Sequence, residues 1–349
     1  MKKIGQMFIP LTALLVLALF NLIMDPSFFK ITIENNSAGM PVMTGFPITI
    51  LDWGSELALL AIGMTLVTAA TGGQDISVGA TIAIAGSTML RVLCGRESAP
   101  SSIKAPIIVA ILVGVVVAML FGAFNGILVA YFNIQPMVAT LILFTAGRSI
   151  AAWINNNQLP IVPSSSGFGV FGNFLPGIPI PTPIFIAVGF MIITALVLRF
   201  TNLGLYTQAV GINEKSSRLN GLNPLLIKFL SFVILGFCVA VAALIKVSRN
   251  CSINYSVIAE NIEMDAILAV ALGGNSLGGG KFDMKASILG AYVIQFLTQT
   301  LYKYKVRSDA LSAYKAVVVI ILVVFSAPAV REKLSALWRK MRKQRKEAA

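Results

Sequence analysis

The sequence has 349 residues, of which 57% are hydrophobic and only 12% charged, with a formal net charge of +13. This balance excludes an ordinary soluble domain. Apolar runs long enough to cross a bilayer recur along the whole chain, which predicts an all-α, polytopic transmembrane helical bundle. Histidine is absent, and Cys94, Cys238 and Cys251 are scattered, so neither a zinc site nor a disulfide framework is indicated.

The first predicted element is an apolar run over residues 7–24, preceded by Lys2 and Lys3. A signal peptide has the same charge arrangement, but its apolar region is shorter and is followed by a small-residue cleavage site. Here the sequence NLIMDPS over residues 21–27 follows instead. We therefore expect a retained first membrane span.

About ten spans are predicted along the chain, each near the roughly 20 residues that the hydrocarbon core requires. They lie near 7–24, 48–70, 76–94, 105–131, 134–154, 182–200, 225–247, 262–274, 285–302 and 312–329. Several are broken by glycine or proline, and the eighth is too short to cross alone. The long connections 25–47 and 155–183 need water or a protein partner for their backbone groups. We expect one membrane-spanning domain over residues 1–349.

The predicted orientation rests on the basic tail at 331–349 and on the pair Lys2 and Lys3, because without the tail lysine and arginine are nearly balanced between the two sides. Cytoplasmic segments carry the excess of these residues, which places both termini in the cytoplasm. Within the tail, basic residues alternate with Leu334, Leu337, Trp338 and Met341. This pattern is typical of a helix lying on anionic membrane lipid, or of a simple stop-transfer anchor. Binding to nucleic acid is not favoured, since the charge excess belongs to a membrane anchor.

A polar, helix-capable insert over residues 204–223 separates two long apolar segments. It contains Asn213, Glu214, Lys215 and Arg218. Glu214 and Arg218 are four residues apart and would share one face of a helix. Two interpretations are open, a solvated connection between spans or a surface that a soluble partner grips.

Two glycine clusters interrupt the apolar pattern, over residues 63–79 and 265–280. In each, an apolar helix ends at a Gly-Gly pair, which two polar residues, an aliphatic residue and further glycine follow. The structural glycines of the two clusters are Gly72, Gly73, Gly79, Gly273 and Gly274. Such segments fit an internal repeat framing a transport path, or plain small-residue packing between helices. The second cluster is no phosphate-binding loop, because Phe282 follows Lys281 where serine or threonine is required.

Ionisable residues near the spans form a further set of candidates. Asp52 and Glu56 lie one helical turn apart at the start of the second span, and Glu260, Glu263 and Asp265 surround the start of the eighth. We expect these acids to be interfacial and solvated. Arg148 lies deeper, and we expect it to pair with a carbonyl or a carboxylate inside the bundle.

Several motifs, taken in order, resemble the signature of ribose-type sugar ABC importer permeases. They are IGMTLV (62–67), GGQDISVG (72–79), NGILVA (125–130), QPMVATL (135–141) with Gly147 and Arg148, AVGIN (209–213) with Arg218 and Gly221, and the cluster 265–280. The resemblance covers residues 50–330. Segments 134–143, 209–213 and 315–319 are most similar to galactofuranose-type permeases. Gln74, Ser149, Ile212 and Asn275 depart from the family pattern, and this leaves the identity of the substrate open.

The resemblance implies a non-enzymatic permease subunit of an ATP-driven importer in the bacterial cytoplasmic (inner) membrane. Its solute would be a monosaccharide, a pentose or hexose such as galactofuranose, or else a nucleoside or other sugar-like compound. The implied partners are a cytoplasmic ABC ATPase, which binds the ATP and magnesium, an extracytoplasmic sugar-binding protein, and a second permease copy or a sister permease. No cofactor or metal is implied for this chain itself.

The resemblance also implies roles for particular residues. The cytoplasmic coupling loop 204–223 would contact the ATPase through Gly211, Asn213, Glu214, Arg218 and Gly221. The candidates for the translocation path are Gln74, Asp75, Asn125, Gln135, Thr140 and Asn275. We expect Gln74, Asp75 and Asn275 near its inner mouth. Two alternatives outside this family are a proton-coupled secondary transporter, with Asp52, Glu56 or Asp265 as carrier, and a membrane scaffold that transports nothing.

Overall fold

The computed structural model describes residues 4–35, 39–307 and 310–318. Most of this part of the chain is helical. The α-helices are α1 Ile4–Met24, α2 Phe46–Thr71, α3 Val78–Cys94, α4 Ile107–Ala130, α5 Pro136–Ile154, α6 Thr182–Phe200, α7 Leu203–Ile212, α8 Glu214–Leu219, α9 Pro224–Asn250, α10 Ile262–Leu272 and α11 Met284–Lys303. Residues 310–318 are helical as well.

Six of these helices are long and apolar enough to cross a membrane, namely α1, α2, α4, α5, α6 and α9. The predicted helical membrane bundle is therefore confirmed, whereas ten spans are not established by helix length alone. α3 has 17 residues and α10 only 11. At the rise of an α-helix, α10 is about 16 Å long and cannot cross a hydrocarbon core of about 30 Å.

A small antiparallel hairpin corrects the all-α expectation. Strand β1, Thr32–Asn35, pairs with strand β2, Pro41–Thr44, and Thr32 lies opposite Thr44. The hairpin lies in the long connection between α1 and α2. Outside a helix, pairing between strands is the other way to satisfy backbone groups.

The centre of the bundle is α2, which is buried along most of its length and packs against α9, α11, α6 and α10. The closest helix pair is α4 with α9. A Cβ added to Gly122 would lie 2.5 Å from the carbonyl oxygen of Phe232, and one added to Gly236 would lie 2.6 Å from that of Ala118. Small residues thus let the two backbones approach closely, as in many membrane helix interfaces.

Contacts between the connections define one end of the bundle. The amide of Met43 donates to the carbonyl of Pro179 (2.8 Å), and the amide of Ile161 donates to that of Ser98 (2.8 Å). At the same end Lys303 forms an ion pair with Asp25 (2.9 Å). Hydrogen bonds from Ser27 and then from Lys303 lower the pKa of Asp25 to about 2. The connections 25–45, 95–106, 155–181 and 304–307 therefore share one face, called here the hairpin face.

An irregular segment, residues 251–261, precedes the short helix α10. The Arg148 guanidinium on α5 donates through Nη1 to the carbonyl oxygens of Tyr255 (2.9 Å), Ser256 (3.1 Å) and Ile258 (3.0 Å). Backbone outside a helix needs such partners at membrane depth. The expectation that Arg148 pairs with a carbonyl inside the bundle is confirmed.

Some sequence-based expectations concern residues outside the described part of the chain. They are the lysine pair Lys2 and Lys3, the second half of the tenth predicted span 312–329, and the basic tail 331–349.

Candidate functional site

The polar insert forms two short helices, α7 and α8, at the end of the bundle opposite the hairpin face. Asn213 begins α8 as its N-cap, since its side-chain oxygen accepts from the amide of Ser216 (2.9 Å). Gly221 has φ +80°, a conformation that favours glycine, and it turns the chain toward α9. The predicted coupling residues therefore include two that shape the backbone of the loop.

The charges on α8 are arranged differently from the sequence-based expectation. Glu214 forms an ion pair with Lys228 of α9 (2.6 Å), which joins α8 to the bundle. Arg218 is exposed on the same short helix, and Leu219 beside it is 90% exposed. We call residues 212–219 the coupling surface. It offers a soluble partner both charge and an uncovered leucine.

Gly211 lies immediately before this surface and contacts both glycine clusters. A Cβ there would collide with the carbonyl oxygen of Ala69 and would lie 2.7 Å from the amide nitrogen of Gly280. That amide donates to Ala69 (2.9 Å), which belongs to the last turn of α2. The residue that precedes the coupling surface thus lies against the backbone of both clusters, at Ala69 and at Gly280.

The two glycine clusters pack against each other. A Cβ on Gly72 would lie 2.8 Å from the carbonyl oxygen of Gly278, and the side-chain amide of Gln74 donates through Nε2 to the carbonyl of Leu277 (2.9 Å). The remaining structural glycines also permit close contacts or unusual backbone. Gly73 faces Pro136, Gly79 faces Glu263 and Ala259, Gly273 faces Ala286 and Ser287, and Gly274 has φ +71°. Small-residue packing therefore accounts for part of the glycine pattern.

Three of the path candidates meet in a buried polar cluster between α2 and α3. The Asp75 carboxylate accepts from the amide (2.7 Å) and the hydroxyl (2.6 Å) of Ser77 and from the Asn125 amide group (3.2 Å). Thr140 accepts from the amide of Ile76 (3.2 Å). Gln135 is not part of this cluster, and is exposed at the start of α5.

Asn275 forms buried hydrogen bonds in the second glycine cluster, as Asp75 does in the first. Its amide nitrogen donates to the hydroxyl of Ser287 (2.6 Å), and its oxygen accepts from the amide of Asp283 (2.7 Å). Ser287 in turn accepts from Thr65 of α2 (2.7 Å). In this conformation Asn275 and Asp75 are buried and bound to other protein groups.

A cavity of about 710 Å³ opens elsewhere in the bundle, between α2, α9, α11, the segment that includes the start of α10, and the helical residues 310–318. None of the six path candidates lines it. Its polar and aromatic lining instead includes Trp53, Glu56, Lys246, Asp265, Gln295, Thr298, Gln299, Tyr302 and Lys315. The residues that α11 contributes were not predicted from the sequence. Their spacing, at positions 295, 298, 299 and 302 on one helical face, was the available signal.

Ion pairs occupy the acidic wall of this cavity. Glu56 is 2% exposed and pairs with Lys246 (2.7 Å) and Arg249 (2.7 Å). Asp52 also pairs with Arg249 (3.2 Å). The expectation of a solvated, interfacial Glu56 is therefore wrong, because the end of α9 brings two cations to it inside the bundle.

Two further acids were also expected to be solvated. Glu263 is only 3% exposed, and contact with Gly79 at the start of α3 explains its burial. Asp265 forms an ion pair with Lys315 (2.7 Å). The proposed proton carriers Asp52, Glu56 and Asp265 are thus all paired with lysine or arginine.

Comparison with known proteins gives a family match and several relatives of similar length. Residues 46–327 match the family described as "Branched-chain amino acid transport system / permease component". The chain is 38% identical over 316 residues to the galactofuranose transporter permease protein YtfT of Escherichia coli (strain K12), covering 90% of this chain and 87% of that protein.

Two other relatives are named for different sugars. The fructose import permease protein FruF of Bifidobacterium longum (strain NCC 2705) is 34% identical over 342 residues, covering 97% of this chain and 92% of that protein. The ribose import permease protein RbsC of Escherichia coli (strain K12) is 33% identical over 320 residues, covering 90% and 91%. No solved structure matches the chain.

Proposed function

Because the chain belongs to the family of permease components of branched-chain amino acid-type transport systems, we propose that it is the membrane-spanning permease of an ABC importer for a monosaccharide. Relatives named for galactofuranose, fructose and ribose support a sugar as the solute. Galactofuranose or a similar pentose or hexose is the proposed substrate. The permease itself would lie in a bacterial cytoplasmic membrane. ATP hydrolysis then takes place in a partner subunit.

The observation that carries this proposal is the contact at Gly211. A transporter driven by a soluble ATPase needs a water-exposed surface joined rigidly to elements that move within the membrane. The coupling surface 212–219 is polar and exposed, and Gly211 places it against the end of α2 and the second glycine cluster. ATP binding in the partner can bias the permease only through contacts that differ between two states. This surface is where we place those contacts.

We propose ten membrane crossings with both termini in the cytoplasm. α3, α10 with the segment before it, α11 and the tenth span predicted from the sequence, 312–329, would supply the four crossings beyond the six long helices. The hairpin face would then be extracytoplasmic and the coupling surface cytoplasmic. Support comes from the strict alternation of the connections between the two ends of the bundle.

The two glycine clusters are the proposed inner closure of the path. A movement of α7 would change its close packing against Ala69 and Gly280, and the two clusters would then separate. The hydrogen bond from Gln74 to Leu277 crosses the contact and would break at that step. Gln74, Asp75 and Asn275 would then face water and the solute, with Asn125, Thr140 and Gln135 lining the path from α4 and α5. Weak binding at such positions favours release.

The proposed partners follow from the two faces. An ABC ATPase would bind the coupling surface, and a sugar-binding protein would bind the extracytoplasmic hairpin face. A second copy or a sister permease would complete the path within the lipid bilayer. A proton-coupled carrier is less well supported, because Asp52, Glu56 and Asp265 are ion-paired.

The role of Glu214 tests the proposed coupling. Glu214→Lys should uncouple ATP hydrolysis from sugar transport in proteoliposomes while the variant still inserts, because the coupling surface loses its acid. Since Glu214 also pairs with Lys228, the double variant Glu214→Lys, Lys228→Glu serves as the matched control. It restores the ion pair inside the chain but leaves the charge of α8 reversed.

Two results would count against this role. Restored coupling in the double variant would show that Glu214 only holds α8 in place. Normal coupling in the single variant would reduce the loop to a connector. Uptake by the purified chain alone, driven by a proton gradient without any ATPase, would contradict the importer proposal as a whole.

A further inference from the structure

Two largely buried glutamine side chains line the cavity of about 710 Å³. Gln295 and Gln299 lie one turn apart on α11 and are 9% and 8% exposed. Neither side chain forms a hydrogen bond within residues 4–35, 39–307 and 310–318. Their amide atoms are not among the fully enclosed unpaired polar atoms of the described residues, so they are open to the cavity, where water or a solute can pair with them. These two therefore point to a partner that enters the cavity.

The geometry of the pair suits a solute with several hydroxyl groups. An amide group both donates and accepts, and so does a hydroxyl. Residues four apart on a helix have Cβ atoms about 6 Å apart, so the two amides can reach different hydroxyls of one ring. Thr298 lies between them, but its hydroxyl already donates to the carbonyl of Ile294 (2.8 Å). It can only accept, whereas each glutamine can also donate.

The charge of the cavity favours a neutral solute over an anion. Glu56 with Lys246, and Asp265 with Lys315, are ion pairs on its walls. Glu260 is exposed at the lining and adds a carboxylate beyond these pairs. The volume falls within the range of about 300–1,000 Å³ that is common for small-molecule sites.

We propose that this cavity is a subsite of the path that binds a neutral sugar through Gln295 and Gln299, in the half of the membrane nearest the hairpin face. The inference rests on the proposed sugar transport and adds the residues that discriminate between solutes. Binding sites built to pair with hydroxyls reject analogues that lack them. The two glutamines would therefore favour sugars over deoxy-sugars of similar shape.

Thiol labelling tests the subsite without ATP. Gln299→Cys is made in a chain whose Cys94, Cys238 and Cys251 are serine, and the purified permease is treated with a small polar thiol reagent. D-Ribose, D-fructose and D-galactose at high concentration are the probes. At least one should slow labelling by about tenfold when nine-tenths of the sites are filled. Glycine betaine, which lacks hydroxyls, and the anion D-gluconate should protect far less.

Transport provides the second measurement. In proteoliposomes with the ATPase and the binding protein, Gln295→Leu should lower uptake of the protecting sugar by about tenfold, the effect of one lost hydrogen bond. Its preference for D-ribose over 2-deoxy-D-ribose, or for the corresponding pair of the protecting sugar, should shrink as well. The control Thr145→Val, at an exposed position of α5 that does not line the cavity, should leave both unchanged.

The two measurements separate this inference from the proposed function. Labelling of Gln299→Cys that none of the three sugars slows would overturn the subsite. Unchanged sugar preference in Gln295→Leu would overturn it too. Protection of Gln299→Cys by a sugar, together with no ATP-dependent uptake by the wild-type chain, would instead leave the subsite standing and overturn the importer proposal.

Discussion

At the residue scale, Arg148 illustrates how one side chain can hold irregular backbone within a membrane bundle. Its Nη1 lies within 3.1 Å of three carbonyl oxygens of the segment before α10. A carbonyl in that environment is costly to leave unpaired. Arginine is suited to this role because it stays charged and presents several donors in a fixed plane. The segment 251–261 therefore owes its shape largely to a residue more than 100 positions away.

The corresponding prediction concerns Arg148→Met. This variant keeps much of the apolar stem but leaves the carbonyls of Tyr255, Ser256 and Ile258 without their donor. We expect the free energy of unfolding to fall by about 1–3 kcal/mol. Thermal unfolding in detergent would measure it, with the exposed Arg96→Met as the matched control. Equal unfolding temperatures for the two variants would contradict the role given to Arg148.

Residue roles could be predicted from the sequence only where a single residue stood out against its surroundings. A lone arginine in an apolar run indicated an internal partner, and the structure provides one. The prediction that Glu56 is solvated was wrong, because its partners Lys246 and Arg249 lie about 190 residues further on and only the fold brings them together. Gln295 and Gln299 passed unnoticed within a segment that was long enough to be a span.

At the scale of elements, the junction between α2, α7 and the second glycine cluster links the coupling surface to the proposed transport path. The sequence predicted the polar insert and both clusters as separate features. Their contact could not be predicted, since it depends on Gly211 meeting Ala69 and Gly280 across more than 60 residues in each direction. The short length of α10 was visible in the sequence, whereas the hairpin β1–β2 was not, because four-residue strands carry little pattern.

Gly211→Ala tests that junction. The new Cβ would collide with the carbonyl oxygen of Ala69, so α7 must shift away from α2. Overpacking of this kind costs about 1–3 kcal/mol. We expect sugar transport to fall more strongly than ATP hydrolysis, because the coupling surface remains intact while its link to the path is displaced. Rates of both, measured in the same proteoliposomes, give the ratio of sugar moved per ATP.

A second glycine provides the control for that experiment. Gly189 lies within α6, and a Cβ there would meet nothing within 4 Å. Gly189→Ala should leave the transport ratio at the wild-type value and favour the helix slightly. If Gly211→Ala also kept the wild-type ratio, direct backbone contact at this junction would not be part of coupling.

At the scale of the whole molecule, the sequence predicted a helical membrane bundle and the approximate position of nearly every helix. Apolar length is a strong signal, because the bilayer requires helices and fixes how long they must be. The number of crossings was harder to predict. α3 and α10 are shorter than a full span, and buried contacts rather than hydrophobic length support such segments.

The last prediction concerns the orientation of the chain in the membrane. Four connections share the hairpin face, so fixing the side of one fixes the others. Lys30 lies beside the hairpin and Lys215 on α8, and both are exposed. We introduce Lys30→Cys or Lys215→Cys into a chain without its three native cysteines and prepare right-side-out vesicles. An impermeant maleimide should label Lys30→Cys directly and Lys215→Cys only after permeabilisation. The opposite pattern would place the coupling surface outside the cell, where no ATPase could reach it.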